Sequence, residues 1–130
     1  MTSLDTNVVL RFVTRDHPVQ SLKARDLIEA GPVWVSKTVI LETEWVLRSG
    51  YEKERGEIVG ILRAFLGLPQ ITVEDPDGTA LALELYAGGF DFADALHLVT
   101  SRRIAHFATF DKELRRRAAR VPGLPPVIEP

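Results

Sequence analysis

Short apolar runs alternate with longer stretches of helical periodicity along the whole chain, and this alternation restricts the fold more than any single residue does. Ser3-Leu4, Val33-Trp34-Val35, Ile71-Thr72-Val73, His106-Phe107-Ala108-Thr109 and Val127-Ile128 read as short strands. Between them lie helical segments with recognisable stops. His17-Pro18 opens one helix, since proline suits a first turn, and Gly31-Pro32 ends it. A helix from Val39 to Ser49 stops at Gly50, and one from about Glu52 to Leu66 carries Ile58, Ile61, Leu62, Phe65 and Leu66 on a single stripe. Ala80 to Ala87, Phe92 to Arg102 and Asp111 to Ala119 complete the set. Strands alternating with helices of this length imply βαβ units, a parallel sheet and an α/β fold with helices on both faces. In such folds the functional crevice lies at the carboxyl ends of the strands.

At 130 residues, with no repeat and no linker, the expectation is one domain spanning 1–130. There is no cysteine, which removes disulfide scaffolds, thiolate metal sites and thiol nucleophiles. No apolar run has the roughly 20 residues needed to span a bilayer, and Asp5 interrupts the place where a signal peptide needs an apolar core. A cytoplasmic protein without membrane contact is therefore expected. The net charge of −2 argues against a generic basic nucleic-acid binder. Residues 101–130 nevertheless hold seven Lys and Arg against three Asp and Glu, a local excess of +4.

The acids fall in telling places. Asp5 follows the first strand, Asp111 follows the strand ending near Thr109-Phe110, Asp94 lies in the first turn of the helix from Phe92, and Glu42 lies in the helix from Val39. Glu42 and Asp94 have apolar neighbours, and carboxylates among apolar groups are costly unless paired. Lys112 is the one lysine close in sequence to any of the four. A hard divalent cation such as Mg²⁺, which takes oxygen ligands and keeps several waters, resolves that conflict. Each acid also has a plainer explanation: a turn at Asp5, an ordinary helix acid at Glu42, a dipole charge at Asp94, an N-cap at Asp111. It is their joint occurrence in the right topological positions that favours a site.

Other signals are weaker. Asp75-Pro76-Asp77-Gly78-Thr79 imitates an aspartyl-phosphatase signature, but too little chain follows, and a turn with a helix N-cap is the better reading. A phosphotransfer receiver domain needs paired acids after its first strand, where Asp5 stands alone. His97 shares a helix face with Asp94 and is more simply structural, and Arg115-Arg116-Arg117 is either a solvated face or a set of phosphate contacts.

Four segments together carry a family pattern: Leu4-Asp5-Thr6-Asn7-Val8, Leu41-Glu42-Thr43-Glu44-Trp45-Val46-Leu47, Phe90-Asp91-Phe92-Ala93-Asp94-Ala95-Leu96-His97-Leu98 and Ala108-Thr109-Phe110-Asp111. Their order and spacing resemble the PIN-domain nucleases, and more narrowly the VapC toxins of prokaryotic VapBC toxin–antitoxin pairs. The resemblance implies a three-layer α/β/α PIN-like fold around a central parallel sheet and a Mg²⁺- or Mn²⁺-dependent endoribonuclease. It places Asp5, Glu42, Asp94 and Asp111 on the catalytic, metal-binding positions. Asp5 and Asp94 are the expected direct ligands, with Glu42 and Asp111 acting partly through water. Thr6, Asn7, Asp91 and Thr109 are supporting residues, and Arg115, Arg116 and Arg117 are the candidate contacts to RNA phosphates. It further implies an RNA substrate, a VapB-type antitoxin and a homodimer. The helix pair Val39–Ser49 and Glu52–Leu66 is the candidate wall of the antitoxin groove, although for most of its large apolar residues, Trp45, Ile61, Leu62 and Phe65 among them, plain core is the better reading. An RNA-processing nuclease without an antitoxin, or a non-catalytic binding module on the same fold, are the competing expectations.

Overall fold

In the computed structural model, which describes residues 1–130, short parallel strands alternate with seven helices, giving the mixed α/β class that the alternation implies. By internal packing the chain divides into Met1–Thr79 and Ala80–Pro130.

The first unit holds β1 (Thr2–Ser3), α1 (Thr6–Thr14), α2 (Pro18–Ala30), β2 (Val33–Val35), α3 (Lys37–Ser49), α4 (Arg55–Leu66) and β3 (Ile71–Val73). Its sheet has the order β1-β2-β3, all parallel, with Thr2 opposite Val33 and Val33 opposite Ile71. The strands are parallel, so Asp5, Ser36 and Glu74 all follow carboxyl ends on one edge of this sheet. Val33 and Val35 are buried on the middle strand, with Val9 and Leu10 of α1, Ile28 of α2, Ile40 and Leu47 of α3, and Ile58, Leu62 and Phe65 of α4. Phe12 meets Phe65 edge to face at 5.8 Å, an arrangement favoured by the ring quadrupoles.

α5 (Pro76–Ala87) straddles the division. Its start lies four residues before the expected Ala80. Asp75 takes a positive φ of 47°, and its carboxylate accepts from the Gly78 N–H at 3.2 Å, so Pro76 becomes the first helical residue. The phosphatase-like segment is thus a turn and helix start, as the plainer reading has it.

The second unit adds α6 (Phe92–Thr100), β4 (Phe107–Ala108), α7 (Lys112–Ala118) and β5 (Val127–Ile128), with β4 and β5 parallel and Phe107 opposite Val127. Tyr86, Phe92, Leu98, Val99 and Leu114 form its core. The turn before α6 depends on Gly89, whose φ of 113° disfavours any side chain. The carbonyl of Gly89 accepts from Arg117 Nη1 at 3.0 Å, tying that turn to α7.

The sequence pattern assigns no element to residues 6–14, which form α1. The β-branched Val8, Val9 and Val13 lower intrinsic helix propensity, and packing against α2 and α3 overrides it. The helix pair expected to wall an antitoxin groove is mostly core: Ile40, Leu47, Ile58, Leu62 and Phe65 are buried, Ile61 is half-buried, and Trp45 alone of the large residues is exposed.

Candidate active site

Asp5 is the N-cap of α1, with extended backbone angles of −80° and 158°. Its carbonyl accepts from the Val8 and Val9 N–H groups at 3.1 and 3.3 Å. An aspartate here normally caps with its carboxylate. Asp5 does not: the side chain makes no capping bond and stands exposed. Thr6 follows, buried, and its hydroxyl has no hydrogen-bond partner, a costly state for a polar group out of water. Asn7 is exposed and lines a cleft of about 310 Å³ between α1 and α2, with Arg11, Gln20, Lys23 and Leu27.

Glu42 lies in the second turn of α3, whose N-cap Ser36 accepts from the Val39 N–H at 3.2 Å. The sequence reading sets Glu42 among apolar neighbours, but its side chain is exposed. The buried acid is Glu44, only 2% exposed. The core face of α3 is Ile40, Thr43, Glu44 and Leu47, spaced three and four apart, and Glu44 falls on that stripe. Arg48, one turn on, donates to it at 2.8 Å. This phase, together with an arginine at the i+4 position, was the signal available to find it.

In the second unit, Asp91 is the N-cap of α6, accepting from the Asp94 N–H at 3.1 Å. Asp94 sits in the first turn, half-buried, among the buried side chains of Phe92, Ala95, Leu96 and Leu98. Burial pushes its carboxyl above the ordinary value, and the charges of Asp91 and Asp111 add to that, while His97 opposes them. His97 is exposed and stacks on Phe107 at 6.5 Å, rather than being the partly buried, hydrogen-bonded histidine that the plainer reading expects.

Asp111 is the N-cap of α7, and its carboxylate accepts from the Leu114 N–H at 3.0 Å. Thr109 sets it in place: its hydroxyl accepts from the Asp111 N–H at 3.1 Å, and its own N–H donates to Ile128. Arg115 donates to the Thr109 carbonyl at 2.8 Å, and Arg116 and Arg117 both donate to Glu113. The three arginines are therefore engaged within their own unit.

Asp94 and Asp111 share a unit and sense each other's charge, and Asp5 and Glu42 both belong to the other unit. Within neither unit do three His, Asp or Glu side chains gather closely enough to hold an ion by themselves. The donors still suit a hard cation. Mg²⁺ needs only one or two direct carboxylates and fills its other positions with water. The carboxylates of Asp5, Glu42 and Asp94 make no hydrogen bond or ion pair, and the charge on Asp94 is disfavoured by burial and by Asp91 and Asp111, with His97 relieving it in part.

Parallel strands, helices in alternation and acids at strand ends and helix starts describe an α/β domain with carboxylates at its functional edge. Residues 3–120 match the PIN domain, and the chain belongs to that family. PIN domains are generally nucleases, hence hydrolases. No curated protein and no solved structure matches the chain significantly. No helix is long and apolar enough to cross a membrane.

Proposed function

We propose that this chain is a Mg²⁺- or Mn²⁺-dependent endoribonuclease of the VapC type, the toxin of a toxin–antitoxin pair acting in the cytoplasm. The observation that carries the reading is the state of three acids in the family motifs. The carboxylates of Asp5, Glu42 and Asp94 have no hydrogen bond or ion pair, and only the charge of His97 partly relieves Asp94, whereas Asp16, Asp26, Glu44, Asp75 and Glu113 are paired with cations.

Asp5, Glu42, Asp94 and Asp111 are the residues that would hold the cation, directly or through water. A divalent cation so bound lowers the pKa of a coordinated water and offsets charge on the phosphoryl oxygens. The protein's share is positional. Asp91 caps the helix that carries Asp94, and Thr109 fixes the N–H of Asp111. The exposed Asn7 amide is the polar group beside Asp5 that can bond water or a phosphate oxygen.

The apolar surface available to an antitoxin is α2 rather than the α3–α4 pair. Val19, Leu22 and Leu27 are exposed there. One face of α2 lines the cleft shared with Asn7. Another lines a cleft of about 510 Å³ with Phe12, Arg15 and Arg25, where an antitoxin segment carrying carboxylates finds cations. A homodimer completes the proposed assembly.

The test is cleavage of a mixed RNA pool by purified protein with Mg²⁺, with Mn²⁺ and with EDTA, beside Asp5→Ala and Asp94→Ala. Metal-dependent cleavage lost in both variants is the expected result. Cleavage that survives EDTA or both substitutions overturns it. For the toxin role, induced expression arrests growth, and co-expression of a protein encoded beside it relieves the arrest.

A further inference from the structure

The chain has ten aromatic residues of the Phe, Trp and Tyr types, and eight are buried or half-buried. The two exceptions are Trp45, 57% exposed, and Phe110, 76% exposed. Hydrophobic side chains scattered singly over a surface need no special explanation. These two differ in their placement. Trp45 is three residues after Glu42 on α3, so the two exposed side chains share a helix face. Phe110 lies between Thr109 and Asp111, in the loop whose geometry the Thr109 hydroxyl and the Asp111 cap hold fixed. Each exposed aromatic thus stands beside an acid of the proposed site. Neither ring pairs with another aromatic, whereas Phe12 with Phe65, Tyr86 with Phe92 and His97 with Phe107 do.

We propose that Trp45 and Phe110 are each a base-stacking platform for unpaired nucleobases of single-stranded RNA, each beside an acid of its own unit. The inference rests on the nuclease reading above and adds the means by which substrate is held. The cations near Phe110 are largely committed, with Arg115 on Thr109 and Arg116 and Arg117 on Glu113, and the chain is net negative. Phosphate attraction alone is therefore a weak anchor. A ring face supplies attraction that does not depend on charge, and every base has a π-face to offer. Duplex RNA, with its bases already stacked, gains nothing from such a platform. A protein partner is the competing occupant. The immediate neighbours argue against it, since Phe110 is flanked by Thr109, Asp111 and Lys112, and Trp45, although Val46 and Leu41 beside it are half-buried apolar residues, has the exposed Glu42 and Arg48 on its helix face.

The test is fluorescence anisotropy of labelled single-stranded RNA oligonucleotides in EDTA, which separates binding from cleavage. The proteins are wild type, Trp45→Ala, Trp45→Phe, Phe110→Ala, Phe110→Leu and Phe110→Tyr, each checked for fold by circular dichroism. Each alanine substitution, and Phe110→Leu, is expected to weaken binding roughly five- to hundredfold. Trp45→Phe and Phe110→Tyr retain most of it. An oligonucleotide with abasic positions shows no difference between wild type and the alanine variants. Unchanged binding in both alanine variants overturns the proposal while leaving the nuclease reading intact, provided that wild type binds and cleaves. Unchanged RNA binding with altered sedimentation, or with lost antitoxin binding, assigns the rings to a protein interface and also overturns it. A wild-type protein that neither binds nor cleaves single-stranded RNA removes both readings together.

Discussion

The Asp94 carboxyl is held above its ordinary value chiefly by burial, then by the charges of Asp91 and Asp111. The sign of the linkage follows. A carboxyl whose native value is raised binds its proton more readily folded than unfolded, so folding is favoured at low pH and penalised as pH rises through the native value. Asp94→Asn removes the charge while keeping the shape. It should raise the melting temperature at neutral pH, and the gain should vanish in acid, where the wild-type carboxyl is already protonated. Thermal melts across that range check it, and the same variant should lack cleavage. Asp5 and Asp111 give a second contrast. Asp111→Ala loses a side-chain cap and should cost about 1 kcal/mol, while Asp111→Asn keeps the cap. Asp5→Ala has no such bond to lose and should leave stability nearly unchanged. Urea titrations of the three variants distinguish them, and an Asp5→Ala loss equal to that of Asp111→Ala would show that Asp5 serves α1 after all.

At the scale of elements, α7 carries a charge arrangement that the sequence shows only as a run of arginines. Glu113 receives both Arg116 and Arg117. Exposed pairs of this kind contribute little to stability but do engage the cations. Glu113→Gln should free Arg116, leave Arg117 held only by the Gly89 carbonyl, tighten binding of single-stranded RNA severalfold at low salt, and steepen the dependence of affinity on salt by about one unit of logarithmic slope. Anisotropy titrations at several salt concentrations measure this, and an unchanged slope would place the two arginines away from the RNA. Elements with sharp stops were legible in the sequence, β2, β3 and the ends of α2 and α3 among them. Two misreadings have physical causes. α1 is rich in β-branched residues and owes its helicity to tertiary packing, which local pattern does not encode. On α3, Glu42 and Glu44 are two residues apart, about 200° around the helix, so an error in phase exchanges the exposed acid for the buried one. The candidate site was legible only as positions: Asp5, Asp94 and Asp111 stand at a strand end or helix start, and Glu42 in the second turn of α3. What each carboxylate does was not, since Asp111 caps a helix, Asp5 in the equivalent position does not, and no sequence rule separates them.

For the whole molecule, charge is unevenly divided. Residues 1–79 hold nine Lys and Arg against twelve Asp and Glu, and residues 80–130 hold seven against six. The excess of acid includes carboxylates without partners, and like charges left uncompensated disfavour the folded state. A divalent cation that binds the folded chain and not the unfolded one should stabilise by mass action, by about 2.7 kcal/mol at a hundredfold excess over its dissociation constant. The melting temperature should therefore rise with Mg²⁺ and with Mn²⁺ and return to its starting value with EDTA. Ordinary screening by salt also relieves repulsion, so a monovalent salt of matched ionic strength is the necessary comparison. In Asp94→Asn the metal-dependent part should shrink or disappear while the part due to ionic strength remains. Equal shifts in wild type and Asp94→Asn would mean that the ion acts only by screening, and that the free carboxylates of Asp5, Glu42 and Asp94 hold no cation.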